Sequence, residues 1–138
     1  MKREDVLRTS PYPLLIDGKE IASRSGKTFQ TIDPANGQVL ADVCEADEGD
    51  TDAAVGAAWR AFHGGWSTTT PRERSLAMKR LAERLAEKVE ALSWIECYDA
   101  GKPIVASRGW LAGAPATLDF YAGSLLALSG ETLHVSDK

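Results

Sequence analysis

Two cysteines, Cys44 and Cys97, and two histidines, His63 and His134, are the side chains of this 138-residue sequence best suited to nucleophilic, redox or transition-metal chemistry. A reactive cysteine needs a neighbour that stabilises its thiolate, and a zinc site needs closely spaced Cys and His pairs. The two cysteines stand far apart and no such spacing is present. Two buried thiols in a reducing compartment are the simpler reading. Ser25-Gly26-Lys27-Thr28 resembles the end of a phosphate-binding loop, but that motif needs a glycine where Ile21 stands. No Gly-x-Gly-x-x-Gly dinucleotide fingerprint is found, and the carboxylates form no distinctive pair.

Composition narrows the classes further. Sixteen basic and twenty acidic residues give a net charge of −4, with no basic run to meet a nucleic acid. Hydrophobic residues make up 43% of the chain, enough for a packed core, yet no apolar stretch is long enough to span a membrane. Met1 to Ser10 is polar and lacks the apolar centre of a secretory signal, so the cytoplasm is the expected location. Residues 1–11 read as a flexible tail.

The elements that would position functional groups change character along the chain. Tyr12 to Ile16, Asp17-Gly18 and Lys19 to Ala22 form a hairpin pattern, since Asp-Gly favours the left-handed backbone of a two-residue turn. Thr28 to Ile32 and Val39 to Cys44 form a second strand pair around Asp33-Pro34-Ala35-Asn36-Gly37. Asp47 caps a helix whose Val55, Ala58, Trp59 and Phe62 share one face, and Gly64-Gly65 ends it beside His63. Thr70-Pro71-Arg72-Glu73 opens the next helix with a capping box and a first-turn proline. Its apolar spacing from Met78 to Ile95 predicts one helix running to about Tyr98, stopped by Gly101 and Pro103. A third helical stretch spans Val105 to Leu128, with a kink or split expected at Pro115 and a stop at Gly130. Strands followed by long helices make this piece α+β.

In order, these segments resemble the N-terminal region of NAD(P)-dependent aldehyde dehydrogenases. The resemblance rests on Leu14-Leu15-Ile16-Asp17-Gly18, Gly26-Lys27-Thr28-Phe29 and Ile32-Asp33-Pro34-Ala35-Asn36-Gly37-Gln38-Val39. It continues through Ala61-Phe62, Trp66, Pro71 to Arg74, Asp99-Ala100-Gly101-Lys102-Pro103, Phe120-Tyr121-Ala122-Gly123 and Gly130-Glu131-Thr132. It covers about residues 14 to 133, and residues 12–138 read as a truncated N-terminal part of such a domain, α/β in the parent enzyme. The segment from Trp110 to Pro115 departs most from the pattern; the resemblance places a substrate tunnel there, with Gly113 lining it.

The resemblance implies oxidation of an aldehyde to a carboxylic acid, with NAD or NADP taking the hydride, in an enzyme that forms homo-oligomers. A cysteine attacks the aldehyde, a glutamate activates water and an asparagine holds the oxyanion. All three belong to regions downstream of the match, so no catalytic or cofactor-binding residue is carried onto this chain, and the chain alone is expected to be inactive.

One implied site does fall inside it: a monovalent cation, K or Na, held by oxygens of Thr31, Ile32 and Asp99. Asp99 lies where a helix ends among unsatisfied carbonyls, at the negative end of the dipole, which favours a compensating cation. The alternative is that Asp99 bonds the following turn or pairs with Lys102. Two other readings of the whole chain stay open: a non-catalytic interaction or scaffold module derived from the family, and independent catalysis at an unrelated site.

Overall fold

The computed structural model describes residues 2–130. His134 and most of the Gly130-Glu131-Thr132 segment lie outside the described residues. Two antiparallel hairpins come first among the strands. β1 (Leu14–Ile16) pairs with β2 (Lys19–Ile21), Leu14 opposite Ile21. Asp17 and Gly18 both take positive φ, 54° and 72°, as a two-residue hairpin turn requires. β3 (Thr28–Ile32) pairs with β4 (Val39–Cys44), Thr28 opposite Cys44, with a register irregularity between Thr31 and Ile32. The Asp33–Gly37 turn closes on the Asp33 amide, which donates to the Gln38 carbonyl at 2.9 Å.

Ahead of the hairpins, Arg3–Val6 forms a single helical turn, α1. Of the residues 1–11 that read from sequence as a tail, 3–6 form this turn, and Tyr12 just after them bridges in parallel to Val43 beside the β3–β4 sheet.

Three of the four long helices begin or end on signals visible in the sequence. α2 (Glu48–His63) starts on a reciprocal box in which Asp47 and Asp50 cap each other's backbone N–H. α3 (Pro71–Ala86) starts on the equivalent box between Thr70 and Glu73. α4 (Val89–Ala100) ends on Gly101, left-handed at φ 67°, whose N–H returns to the Cys97 carbonyl.

The single helix expected from Thr70 to Tyr98 is two helices. The chain tightens at Glu87 and Lys88: the Lys88 N–H donates to Leu85, three residues back, and Lys88 itself sits at φ −108°, ψ −2°. No glycine or proline forces this break. Both α3 and α4 pack against α5.

α5 (Ile104–Ser124) runs through Pro115 as one assigned helix and continues as a 3₁₀ turn over Leu125–Ala127. Pro115 has no N–H to offer the Leu111 carbonyl.

The helical contacts are built from small side chains. Ser75 and Ala82 on α3, Ser93 on α4, and Ser107 and Ala122 on α5 are all buried, which lets the backbones approach closely. Among the described residues, the largest fully buried side chains are Asp50, Ser93 and Ser107; no large apolar side chain is among them. Trp59, Phe62, Leu81, Trp110 and Phe120 are all exposed, Trp110 at 76%. The chain exposes 10244 Å², whereas a self-contained globular chain of its mass exposes roughly 7,000 Å². The piece is α+β, and among the described residues no helix is long and apolar enough to cross a membrane.

Candidate functional site

The turn after β3 and the end of α4 meet, and the two most distinctive motifs of the sequence meet with them. Thr31, next to the β3 irregularity, donates its hydroxyl to Asp99 Oδ1 at 2.7 Å. Asp99 stands in the last turn of α4, two residues before the Gly101 cap. Gly101 is pressed against the β3–β4 turn: a Cβ built there would lie 2.7 Å from Pro34 Cγ. Only glycine serves both the positive φ and this approach.

Asp33 anchors the other side of the junction. Its side chain is almost fully buried; Oδ1 accepts the Ala35 N–H at 2.8 Å and Oδ2 accepts the Asn36 amide at 3.2 Å. The Arg3 guanidinium pairs with the same Oδ2 and lies over the Tyr98 ring, 5.4 Å from its centroid. Nothing in the tail's composition signals this clasp.

Thr31 and Asp99 are therefore together, as the resemblance implies, and Ile32 follows Thr31 at the register irregularity. Lys102 does not pair with Asp99. It pairs with Glu96 and lies 5.7 Å from the Trp110 ring centroid. The side-chain oxygens at the junction are one carboxylate and one hydroxyl, which suit a hard ion of low charge rather than zinc or copper. Among the described residues no group of three or more His, Cys, Asp or Glu is placed to hold a metal.

The side chains best suited to reactive chemistry stand away from this junction's contacts or are not paired with a catalytic partner among the described residues. His63 stacks on Trp59 at 4.8 Å, and Cys44 and Cys97 are free thiols, the first of them buried. Gly113 lines a shallow concavity on the exposed face of α5 together with Gly109, Trp110 and Thr117.

Asp50, in the first turn of α2, is buried to 1% exposure. It ties the first hairpin to α2, accepting from the Ser23 hydroxyl at 3.0 Å, the Arg24 N–H at 3.2 Å and the Asp47 N–H at 3.2 Å. Burial pushes its carboxyl up, but these hydrogen bonds and the nearby Arg24 charge outweigh it and hold the pKa below the ordinary aspartate value. Between α4 and α5, Arg108 grips Glu90 at 2.5 and 2.9 Å and keeps that carboxyl low as well.

The model of the aldehyde dehydrogenase family matches residues 21–138. The chain belongs to the aldehyde dehydrogenase family. An aldehyde dehydrogenase of Aspergillus niger is 38% identical over 128 residues, which make up 93% of this chain and 26% of that protein. Aldehyde dehydrogenase family 2 member C4 of Arabidopsis thaliana is 40% identical over 127 residues, 89% of this chain and 25% of its own length. Among solved structures, the NAD+ complex of aldehyde dehydrogenase from Bacillus cereus superposes with a TM-score of 0.85 at 38% identity, covering 92% of this chain and 26% of that one. This aldehyde dehydrogenase chain thus spans about a quarter of the length of its relatives, as their N-terminal portion.

Proposed function

We propose that these residues are the N-terminal scaffold of an NAD(P)-dependent enzyme that oxidises an aldehyde to a carboxylic acid, and that the 138-residue chain alone does not turn over. The observation that carries this reading is the surface. The area above that of a self-contained chain is roughly 3,000 Å², and permanent interfaces bury about 1,000–2,500 Å² on each partner. Large apolar side chains stand exposed on both α2 and α5: Val55, Trp59 and Phe62 on one and Val105, Trp110 and Phe120 on the other. Faces of this kind belong against further structure.

NAD or NADP, when bound in such an enzyme, accepts the hydride. The part played by this chain is positional: it presents the α5 face carrying Gly109 and Gly113, and its own geometry is fixed at the Thr31–Asp99 junction. A scaffold module that functions alone would need the same faces covered by its own core. Size-exclusion chromatography and thermal unfolding separate the two. Self-association with a broad transition is expected; a monomer with a sharp, cooperative transition supports a self-sufficient, non-catalytic module instead.

At the junction we propose a monovalent cation, K or Na, held by oxygens of Thr31 and Ile32 and by Asp99. The 2.7 Å Thr31–Asp99 contact and the position of Asp99 at the carbonyl-rich end of α4 support it. Rubidium or thallium soaked into crystals should give anomalous density beside Asp99 and none in Asp99→Asn; its absence from the parent overturns the site.

A further inference from the structure

Gly109 and Gly113 stand one turn apart on α5. Neither takes a positive φ, and a Cβ at either would meet nothing within 4 Å. Glycine weakens a helix interior, so neither the backbone nor the packing of this chain asks for it at these positions. The two glycines leave bare backbone at the floor of the α5 concavity, with the Trp110 indole beside it. Where that floor points depends on how α5 is rotated on α4.

The packed side chains do little to fix that rotation. The fully buried ones, Ser93 on α4 and Ser107 on α5, are small and offer shallow ridges to interlock. Two tethers stand on either side of Ser107 instead. Arg108 and Trp110 are two residues apart, so they leave the helix roughly 200° apart, with Ser107 between them on the shorter arc. On the Trp110 side, Lys102 pairs with Glu96 of α4 and lies 5.7 Å from the indole centroid. On the other side, the Arg108 guanidinium makes a two-pronged contact with Glu90 of α4, at 2.9 Å from Nε and 2.5 Å from Nη2. The same guanidinium lies 5.8 Å from the Trp94 ring centroid, and Trp94 donates its indole N–H to Glu90 at 3.0 Å. An isolated exposed ion pair counts for little, but a planar fork on a carboxylate that is also held by an indole has a defined geometry.

We propose that Glu90 and Arg108 are a positioning pair that sets the rotation of α5, and with it the room that the concavity gives a ring-bearing aldehyde. The inference rests on the reading of α5 as the face presented to the aldehyde. A flat ring fits bare backbone beside an indole, whereas a two-carbon aldehyde makes little contact with such a wall. Loss of the pair therefore acts on the choice between aldehydes more than on the chemical step.

The full-length enzyme that carries this portion tests the pair, through kcat/KM for benzaldehyde relative to acetaldehyde. Arg108→Met and Glu90→Gln should each lower that ratio about tenfold, the effect of a one-methylene misfit in an apolar site, with KM for NAD+ unchanged. The double variant should fall no further than either single one, because the two side chains act together. Arg108→Lys keeps the charge but loses the fork and should lie between parent and Arg108→Met. Arg84→Met breaks the exposed Arg84–Glu87 pair at the end of α3 and should leave the ratio at the parent value. A lowered melting temperature with an unchanged ratio, additive losses in the double variant, or an equal fall for both aldehydes overturns the positioning role. A parent enzyme that forms no NADH from any aldehyde overturns the reading of α5 beneath it, and the inference with it.

Discussion

Replacing Gly101 with alanine probes the junction where the two motifs meet. Gly101 holds φ 67°, and its missing Cβ leaves room for Pro34 Cγ, which would otherwise sit 2.7 Å away. An L-residue in the left-handed region costs about 1–2 kcal/mol. The contact adds a second penalty, because a proline ring cannot swing aside as a flexible side chain can; overpacking of this kind costs about 1–3 kcal/mol. In the full-length protein, Gly101→Ala should therefore destabilise by about 2–5 kcal/mol in urea unfolding followed by tryptophan fluorescence. Gly37→Ala is the internal control: its φ is 70°, but a Cβ there meets nothing within 4 Å. It should lose only the backbone component, about 1–2 kcal/mol. Adding Pro34→Ala to Gly101→Ala should recover the difference and leave the Gly37→Ala cost unchanged, since only the first pair is in contact. Equal losses for the two glycine substitutions would refute the packing of the β3–β4 turn on the end of α4.

Three further outcomes follow from particular side chains. Because the folded-state pKa of Asp50 is lowered, its stabilisation is present above the unfolded value of about 3.9 and fades as pH falls through the folded value; Asp50→Asn should be less stable near neutrality, and its deficit should vanish in strong acid on a pH series of urea midpoints. Pro115→Leu restores an N–H to the Leu111 carbonyl and should raise stability by about 1–3 kcal/mol, measured by thermal unfolding. A double-mutant cycle of Thr31→Val with Asp99→Ala should give a coupling of about 1 kcal/mol, since the pair is hydrogen-bonded but exposed.

What the sequence made legible was local. The Asp17-Gly18 turn, both strand pairs and the Asp47 and Thr70 caps depend on residues within a few positions of one another, and each stands where the pattern puts it. The break at Glu87–Lys88 is different: its residues favour helix, no glycine or proline marks it, and the two helices it separates both pack on α5. The Arg3–Asp33–Tyr98 clasp joins three distant segments and leaves no periodic trace. Thr31 and Asp99 are separated by 68 positions, so no spacing rule reaches them; only the ordered motifs of the family suggested them together. The α2 stripe of Val55, Trp59 and Phe62 was legible as an apolar face, but its exposure reflects structure that these residues do not themselves supply.

We propose that this chain works as the N-terminal quarter of an aldehyde dehydrogenase. It is tested most directly by exchange. The matching portion of the Bacillus cereus aldehyde dehydrogenase, 38% identical to this chain, is replaced by it, and NADH formation is followed with an aldehyde and NAD+. The folded chimera should form NADH only when both are present, and the 138-residue chain alone should form none. A folded chimera without turnover, or aldehyde-dependent NADH formation by the isolated chain, would contradict the account.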